Sequence, residues 1–232
     1  MATYKEIFGT NIEVLASDPA NPVEGQVWYN STSNVVKGFI VTTAGAWATA
    51  NDMNTGRIGI GDAGSQTAAL GFAGNVPPVT AITESWNGTS WTEVNDLNTA
   101  RESIVGAGTQ TSALGYGGNG PPEIGVTETW NGTSWTEVND MNTSRVELAA
   151  ATVTNTAALG FGGNRPPGTN PSGLTESWNG TTWTEVNDLN TARGLAGTGG
   201  PSTSAILAGG SGWSNASEEW GQSGGTQTIT TS

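Results

Sequence analysis

The stretch TESWNGTSWTEVNDLNTAR, residues 83–101, occurs three times in the chain with few changes. It returns as TETWNGTSWTEVNDMNTSR at 127–145 and as TESWNGTTWTEVNDLNTAR at 175–193. The tryptophan that precedes each Asn-Asp pair marks the period: Trp47, Trp91, Trp135 and Trp183 are separated by 44, 44 and 48 residues. Repetition at this spacing indicates a structural unit that buries its apolar face only against neighbouring copies.

Each unit contains four short segments with strand character. In the second unit they are strand a at 101–107, strand b at 111–117, strand c at 125–130 and strand d at 134–138. An Asn-Gly pair between c and d is a strong hairpin signal. No segment shows a sustained 3.6-residue apolar period, so we expect almost no helix. Four strands in about 44 residues are typical of one propeller blade.

The turn between strands c and d also allows a prediction of register. A four-residue loop would place Glu84 opposite Glu93, and like charges directly opposite each other are unfavourable. We therefore predict a tight turn at Asn87-Gly88 that pairs Glu84 with Trp91.

Several residues of the unit resemble the kelch motif. They are the glycine pair Gly117-Gly118 after strand b, Glu128 and Trp130 on strand c, Trp135 on strand d, and Arg145 after the polar turn. The resemblance covers about residues 35–220 and implies an all-β, kelch-like β-propeller of four-stranded antiparallel blades. The units are short, the c–d turn is abbreviated, and there are fewer repeats than in typical kelch propellers.

The number of blades follows from the complete units. Three are visible, at 58–94, 101–138 and 145–186, and a fourth begins at Gly194. Its strand c could be 217–220 and its strand d 226–231. Alternatively, 35–41 and 46–50 supply c and d and close the ring, leaving 213–232 as an arm. We favour a ring of four blades. Five blades, one incomplete, and an open stack completed by neighbouring subunits are the alternatives.

The domain organisation expected is an N-terminal docking or linker segment at 1–34, the repeat propeller at 35–212, and a C-terminal strand or arm at 213–232. The stretch GQVWYNSTSN, residues 25–34, resembles the entry module of marine bacteriophage virion proteins, in which such stretches precede repetitive appendage domains. This resemblance implies a virion location and docking to other virion proteins. The first 25 residues have no apolar core, so we expect no signal peptide and synthesis in the host cytoplasm.

Composition narrows the function classes. The 232 residues include 7 basic and 20 acidic ones, a formal charge of −13. Nucleic acids and anionic membranes are therefore not expected partners. Cysteine and histidine are absent, which removes the commonest nucleophile, general base and metal ligand. We expect a protein that is not an enzyme and uses no cofactor or bound metal.

The repeated residues are interpreted as structural. Tryptophans filling space between blades and arginine–glutamate pairs within or between blades explain their recurrence. The alternatives are sugar stacking by the tryptophans, an anion bound by a ring of arginines, and calcium at the Asn-Asp turns. The structural set is Trp47, Trp86, Trp91, Trp130, Trp135, Trp178, Trp183, Glu84, Glu128, Glu176, Arg57, Arg101, Arg145 and Arg193.

Recognition is expected on the loops that differ between units. Antiparallel alternation places the b–c loops together at one end of the blades, and variation on a fixed scaffold marks an adaptable surface. The candidate binding residues are Asn75, Pro77, Pro78, Asn119, Pro121, Pro122, Asn164, Arg165, Pro166 and Pro167. The function expected is a bacteriophage tail, appendage or capsid-decoration protein that presents these loops for assembly and host-surface adhesion. The candidate partners are a host surface glycan and further copies of the chain in a homo-oligomer. The alternative is a free bacterial kelch-like module that binds carbohydrate or protein.

Overall fold

The computed structural model describes residues 12–23, 25–39, 47–121, 125–166, 170–212 and 214–221. The expected all-β class is confirmed: these residues form twenty strands in several sheets, and no helix occurs among them. The chain divides into two compact units, Met1–Thr49 and Ala50–Ser232.

The N-terminal unit is a three-stranded sheet. Its strands are β1 (Glu13–Leu15), β2 (Val27–Asn30) and β3 (Val35–Gly38). β1 runs parallel to β2, and β2 runs antiparallel to β3. The carboxylate of Asp18 contacts residues of this sheet. It accepts hydrogen bonds from the Trp28 indole and the Asn30 amide and pairs with Lys37 at 2.7 Å. The pKa of Asp18 is lowered to about 2, chiefly by Lys37.

The three complete units predicted from the sequence are three four-stranded antiparallel sheets, each with its strands in chain order. The first contains β4 (Gly61–Ser65), β5 (Ala68–Phe72), β6 (Thr83–Trp86) and β7 (Trp91–Val94). The second contains β8 (Val105–Thr109), β9 (Ser112–Tyr116), β10 (Thr127–Trp130) and β11 (Trp135–Glu137). The third contains β12 (Ala149–Thr154), β13 (Ala157–Phe161), β16 (Thr175–Trp178) and β17 (Trp183–Glu185), with a small hairpin of β14 (Asn164–Arg165) and β15 (Asn170–Pro171) inserted between β13 and β16.

The fourth sheet has three strands among the described residues: β18 (Gly197–Gly199), β19 (Ser204–Ala208) and β20 (Ser217–Gly221). β20 pairs with β19, which confirms the stretch at 217–220 as its strand c. The alternative that 35–41 supplies this strand is wrong, because Val35–Gly38 pairs with Val27–Asn30 in the N-terminal sheet. Residues 47–50 lie outside any strand, and the proposed strand d at 226–231 lies outside the described residues.

The predicted register of the c–d hairpin is wrong. Trp86 pairs with Trp91, and Glu84 stands opposite Glu93 across a four-residue loop. The side chain of Asn87 shapes this loop by accepting hydrogen bonds from the backbone N–H groups of residues 89 and 90. Repulsion between the two glutamates does not decide the register, since Glu84 is buried against cationic and N–H donors and Glu93 is exposed.

Neighbouring sheets pack face to face, with their first strands in sequence: β4 contacts β8, β8 contacts β12, and β12 contacts β18. Aromatic rings fill the space farther out. Trp135 lies against Phe72 of the preceding sheet with 4.7 Å between ring centroids, and Trp183 lies against Tyr116 at 4.8 Å. Trp130, Trp135, Trp178 and Trp183 therefore pack between sheets, as the structural interpretation predicted. The same prediction is wrong for Trp47, which is fully exposed.

The first strands approach so closely that Gly106 is required in β8. A Cβ atom at this position would lie 2.0 Å from the backbone oxygen of Asp62 in β4. No side chain can relieve such a contact, because the obstructing atoms belong to the backbone of the neighbouring strand.

Replacing Gly106 by alanine is expected to lower the free energy of unfolding by about 1–3 kcal/mol or more, the usual cost of overpacking. Gly56→Ala is the matched control, since no atom lies within 4 Å of its added Cβ. Thermal and urea unfolding of the two variants measure the difference. Equal stabilities would show that β4 and β8 do not lie in backbone contact.

Candidate functional site

The loops of the repeats divide between two ends of the sheets, as predicted. At one end, Asn75 after β5 bridges Ile58 before β4. The same bridge joins Glu102 to Asn119 in the second unit and Val146 to Asn164 in the third. At the other end, each c–d turn touches the a–b turn, since Gly88 lies beside the backbone of Thr67. The b–c loops therefore share one end with the connections between sheets.

This loop end exposes most of the predicted binding residues that the structure describes. Pro77, Pro78, Asn119, Pro121 and Arg165 are exposed. Asn75 and Pro166 are partly buried, and Pro122 and Pro167 lie outside the described residues.

Asn164 differs from the other loop residues because it is only 4% exposed. Its Nδ2 donates to the carboxylate of Glu147 at 2.6 Å, and its backbone pairs with Val146. Asn164 therefore anchors the base of the third loop and presents no recognition surface. Asn75 occupies the corresponding bridge in the first unit, so the bridge residues support the loops whose outer residues are exposed.

The third loop has a shape of its own. The hairpin of β14 and β15 extends it, with Arg165 paired to Asn170. Arg165 is the one arginine of the described repeats whose side chain is exposed, because the other four lie in the buried pairs described next. The loop end consequently carries one accessible cation among prolines and amides.

A buried ion pair recurs beneath the loop end. Arg101 Nη1 lies 2.7 Å from Glu128 Oε1, and both side chains are inaccessible to solvent. The other carboxylate oxygen of Glu128 accepts from the backbone N–H and side-chain amide of Asn98, at 2.7 and 2.8 Å. Each pair thus holds the connection between two sheets against strand c of the following sheet.

All four units contain this arrangement. Arg57 pairs with Glu84 at 2.6 Å, Arg145 with Glu176 at 2.9 Å, and Arg193 with Glu218. The pairing predicted for the first three glutamates is confirmed. Glu218, the fourth member, was not predicted from the sequence. A signal was available, since Glu218 precedes Trp220 by two residues just as Glu176 precedes Trp178.

In the first unit, the electrostatics of the pair favour the ionised carboxylate. Burial by itself would raise the pKa of Glu84, but the backbone N–H of Asn54 and the Arg57 guanidinium hold it below its ordinary value. Burial lowers the pKa of Arg101 and of Arg145, although the facing glutamates oppose this shift. The guanidinium groups are buried and paired, so the alternative of an anion held by a ring of arginines does not fit the structure.

The Asn-Asp turns use their oxygens within the fold. Asp96 Oδ1 accepts from the backbone N–H of Thr83 at 3.0 Å, and Asn95 donates to the carbonyl of Thr133. Asp140 and Asp188 repeat the first contact. Within the described ranges, no group of three or more Asp or Glu side chains is arranged to hold a metal ion.

No family model matches the chain, and a search of curated proteins finds no significant match. In the part of the chain that the structure describes, no helix has the length and apolar character needed to cross a membrane.

Replacing Arg145 by alanine is expected to lower the free energy of unfolding by about 3–5 kcal/mol, because it leaves the buried carboxylate of Glu176 unpaired. The exposed Arg165→Ala is the matched control, with a change within about 0.5 kcal/mol. Urea unfolding at neutral pH measures both. An Arg145→Ala chain as stable as the control would contradict a structural role for the pair.

The repeats should also lose stability in acid. The pKa of Glu84 in the folded protein lies below its ordinary value of 4.5, so its contribution is fully present above pH 4.5. It is lost as the pH falls through the folded value, because the unfolded chain then binds the proton more readily.

Glu84→Gln is therefore expected to be less stable than the original chain at pH 7 and to lose less stability between pH 5 and about 3. The exposed Glu93→Gln should follow the original chain throughout. Urea unfolding at a series of pH values measures the slopes, and identical slopes for Glu84→Gln and the original chain would remove the pair from the acid response.

Proposed function

We propose that the chain is a non-enzymatic structural protein of a bacteriophage virion, in a tail appendage or as a capsid decoration. Its four sheets are blades of a kelch-like propeller, and the loop end of this propeller contributes to assembly and host-surface adhesion. The sequence favours a closed ring of four blades, with an open stack completed by neighbouring subunits as an alternative, and this proposal includes either arrangement of the blades.

One observation carries the proposal: the repeated polar and aromatic residues make the contacts that join the sheets. Glu128, Arg101 and Asn98 bind one another, and Trp135 packs on the preceding sheet. The residues that vary between units lie in the b–c loops around a repeated Pro-Pro pair, and Val76 and Arg165, which precede that pair in the first and third units, are exposed. This division supports a rigid display scaffold.

The N-terminal unit supports a docking role. It is a separate compact unit with its own sheet and polar network. It also exposes apolar side chains to solvent. Five valines are between 45% and 67% exposed: Val14, Val23, Val27, Val35 and Val36. Exposed apolar residues on such a unit favour contact with another protein.

A non-catalytic role is supported by the chemistry of the side chains. The chain has no cysteine or histidine. The carboxylates of Glu84, Glu128 and Glu176 are ion-paired and buried, so they are not accessible to a substrate. A catalyst would need an accessible nucleophile or a positioned acid and base.

Quantitative mass spectrometry of purified particles of the phage that encodes the chain tests the proposal. We expect the chain at a fixed number of copies per particle. Gold-labelled antibodies raised against the recombinant protein should bind the particle surface. Absence of the chain from particles that contain the known capsid and tail proteins would overturn the virion role. That result, combined with binding of the purified chain to immobilised glycans or proteins, would support the free bacterial module instead.

A further inference from the structure

The tryptophan of strand d has a defined socket between sheets. Trp135 packs on Phe72 of the preceding sheet, and its indole N–H donates to the hydroxyl of Thr83 at 3.0 Å. In the next unit, Trp183 packs on Tyr116 and donates to the hydroxyl of Thr127 at 2.9 Å. The socket therefore consists of an aromatic ring on strand b and a threonine on strand c of the preceding sheet.

The third sheet offers the same two residues, but among the described residues no tryptophan of a strand d contacts them. Phe161 and Thr175 occupy the positions of Phe72 and Thr83, since both pairs are directly opposed across their strands. They line a cavity of about 300 Å³ whose other walls include Leu189, Leu207 and Trp220. Among the described residues, no tryptophan donates to the Thr175 hydroxyl. By position, the cavity corresponds to the socket that Trp135 and Trp183 occupy in the second and third units.

Residues 222–232, which follow β20, offer no ring for this cavity. Residues 222–232 read QSGGTQTITTS and contain no aromatic residue. In the other units the second tryptophan comes five positions after the first, as Trp91 follows Trp86, and Gly225 stands at that position after Trp220. A strand formed there would leave the socket without an indole.

The complementary piece stands at the start of the repeats. Trp47 precedes Asn51-Asp52 just as Trp91 precedes Asn95-Asp96, so residues 47–50 have the sequence position of a strand d. Trp47 is fully exposed and lies outside any strand. The connection that follows is already in its usual place, because Asn54 and Arg57 bind Glu84. Among the described residues, the chain thus has a strand-d segment that lies outside any sheet and a fourth sheet with three strands.

We propose that residues 47–50 of a second copy add to the edge of β20, with the Trp47 indole in the cavity and its N–H donating to the Thr175 hydroxyl. A second copy is favoured over the same chain because the chain's own Trp47 is exposed. The contact continues the interface that joins the sheets of one chain, and an unpaired strand edge is a ready template for an incoming strand.

The outer face of the fourth sheet fits this arrangement. Ile206 in β19 is 47% exposed, whereas Leu70, Leu114 and Leu159 at the corresponding position of the other sheets are buried by the sheet that follows. The short connection after residue 50 would bring the first sheet of the second copy onto this face. Head-to-tail contacts of this kind close into rings when the rotation permits. Two copies contribute eight sheets, which is within the range of known propellers.

The test is the mass of the full chain by light scattering and sedimentation over a range of concentrations. We expect an oligomer, with twice the mass of one chain for a closed pair. Trp47→Ala should weaken association roughly thirtyfold or more, as for a central interface tryptophan. Because Trp47 is exposed in the single chain, this variant should keep its unfolding midpoint at dilutions where all chains are monomeric.

Thr49→Glu is the matched control. This substitution introduces glutamate on the same segment. Because the other units have a glutamate at the corresponding position, Glu93, Glu137 and Glu185, association should persist. Thr175→Val keeps the shape of the socket and removes the acceptor, and it should weaken association about 2- to 10-fold. In a Trp47→Phe background, which lacks the indole N–H, Thr175→Val should have no further effect.

Three results would overturn the proposal. The first is a monomer at all concentrations whose Trp47 is shielded from a fluorescence quencher, which indicates closure of the ring within one chain. The second is a monomer whose Trp47 is accessible to the quencher. The third is an oligomer whose association is unchanged by Trp47→Ala, which places the interface elsewhere.

Discussion

The fold depends on a buried carboxylate on strand c of each sheet. This carboxylate is bound by residues of the connection that follows the preceding sheet. Glu128 on strand c receives Arg101 and Asn98 from the residues that follow the first sheet. The same connection is held to the first sheet by Asp96, which accepts from the backbone of Thr83. The desolvated charge is tolerated because, in every unit, the connection supplies a guanidinium and N–H donors to the carboxylate. One short polar segment therefore sets the spacing of two sheets.

The apolar packing between sheets follows from this spacing. Thin glycine-containing strands allow the backbones of β4 and β8 to meet at Gly106, and wide aromatic rings fill the larger gap farther out. The indole N–H of Trp135 would be buried without a partner if Thr83 did not accept it. Glycine, tryptophan and threonine thus recur together because each solves part of one packing problem.

The division between scaffold and loops explains how such a repetitive chain could carry a specific function. The residues beneath the loop end are occupied by buried pairs, so sequence change there is costly. The exposed residues of the b–c loops have no such constraint, and the hairpin around Arg165 shows that one loop can lengthen without disturbing its sheet. In the part of the chain that the structure describes, the fourth sheet departs from the pattern because it ends at β20.

Much of the fold could be read from the sequence, because period, hairpin signals and the recurring Glu, Trp and Arg depend on local chemistry repeated in every unit. The strands of three units, the ion pairs and the packing role of the tryptophans were predictable in this way. Register was not, since Glu84 is neutralised by residues 27 and 30 positions earlier, and a local comparison of charges cannot include them. Only the tertiary structure decided that Asn164 is buried, that Val35–Gly38 belongs to the N-terminal sheet, and that a cavity lies beside Phe161 and Thr175, because burial and strand partnership depend on residues distant in the chain.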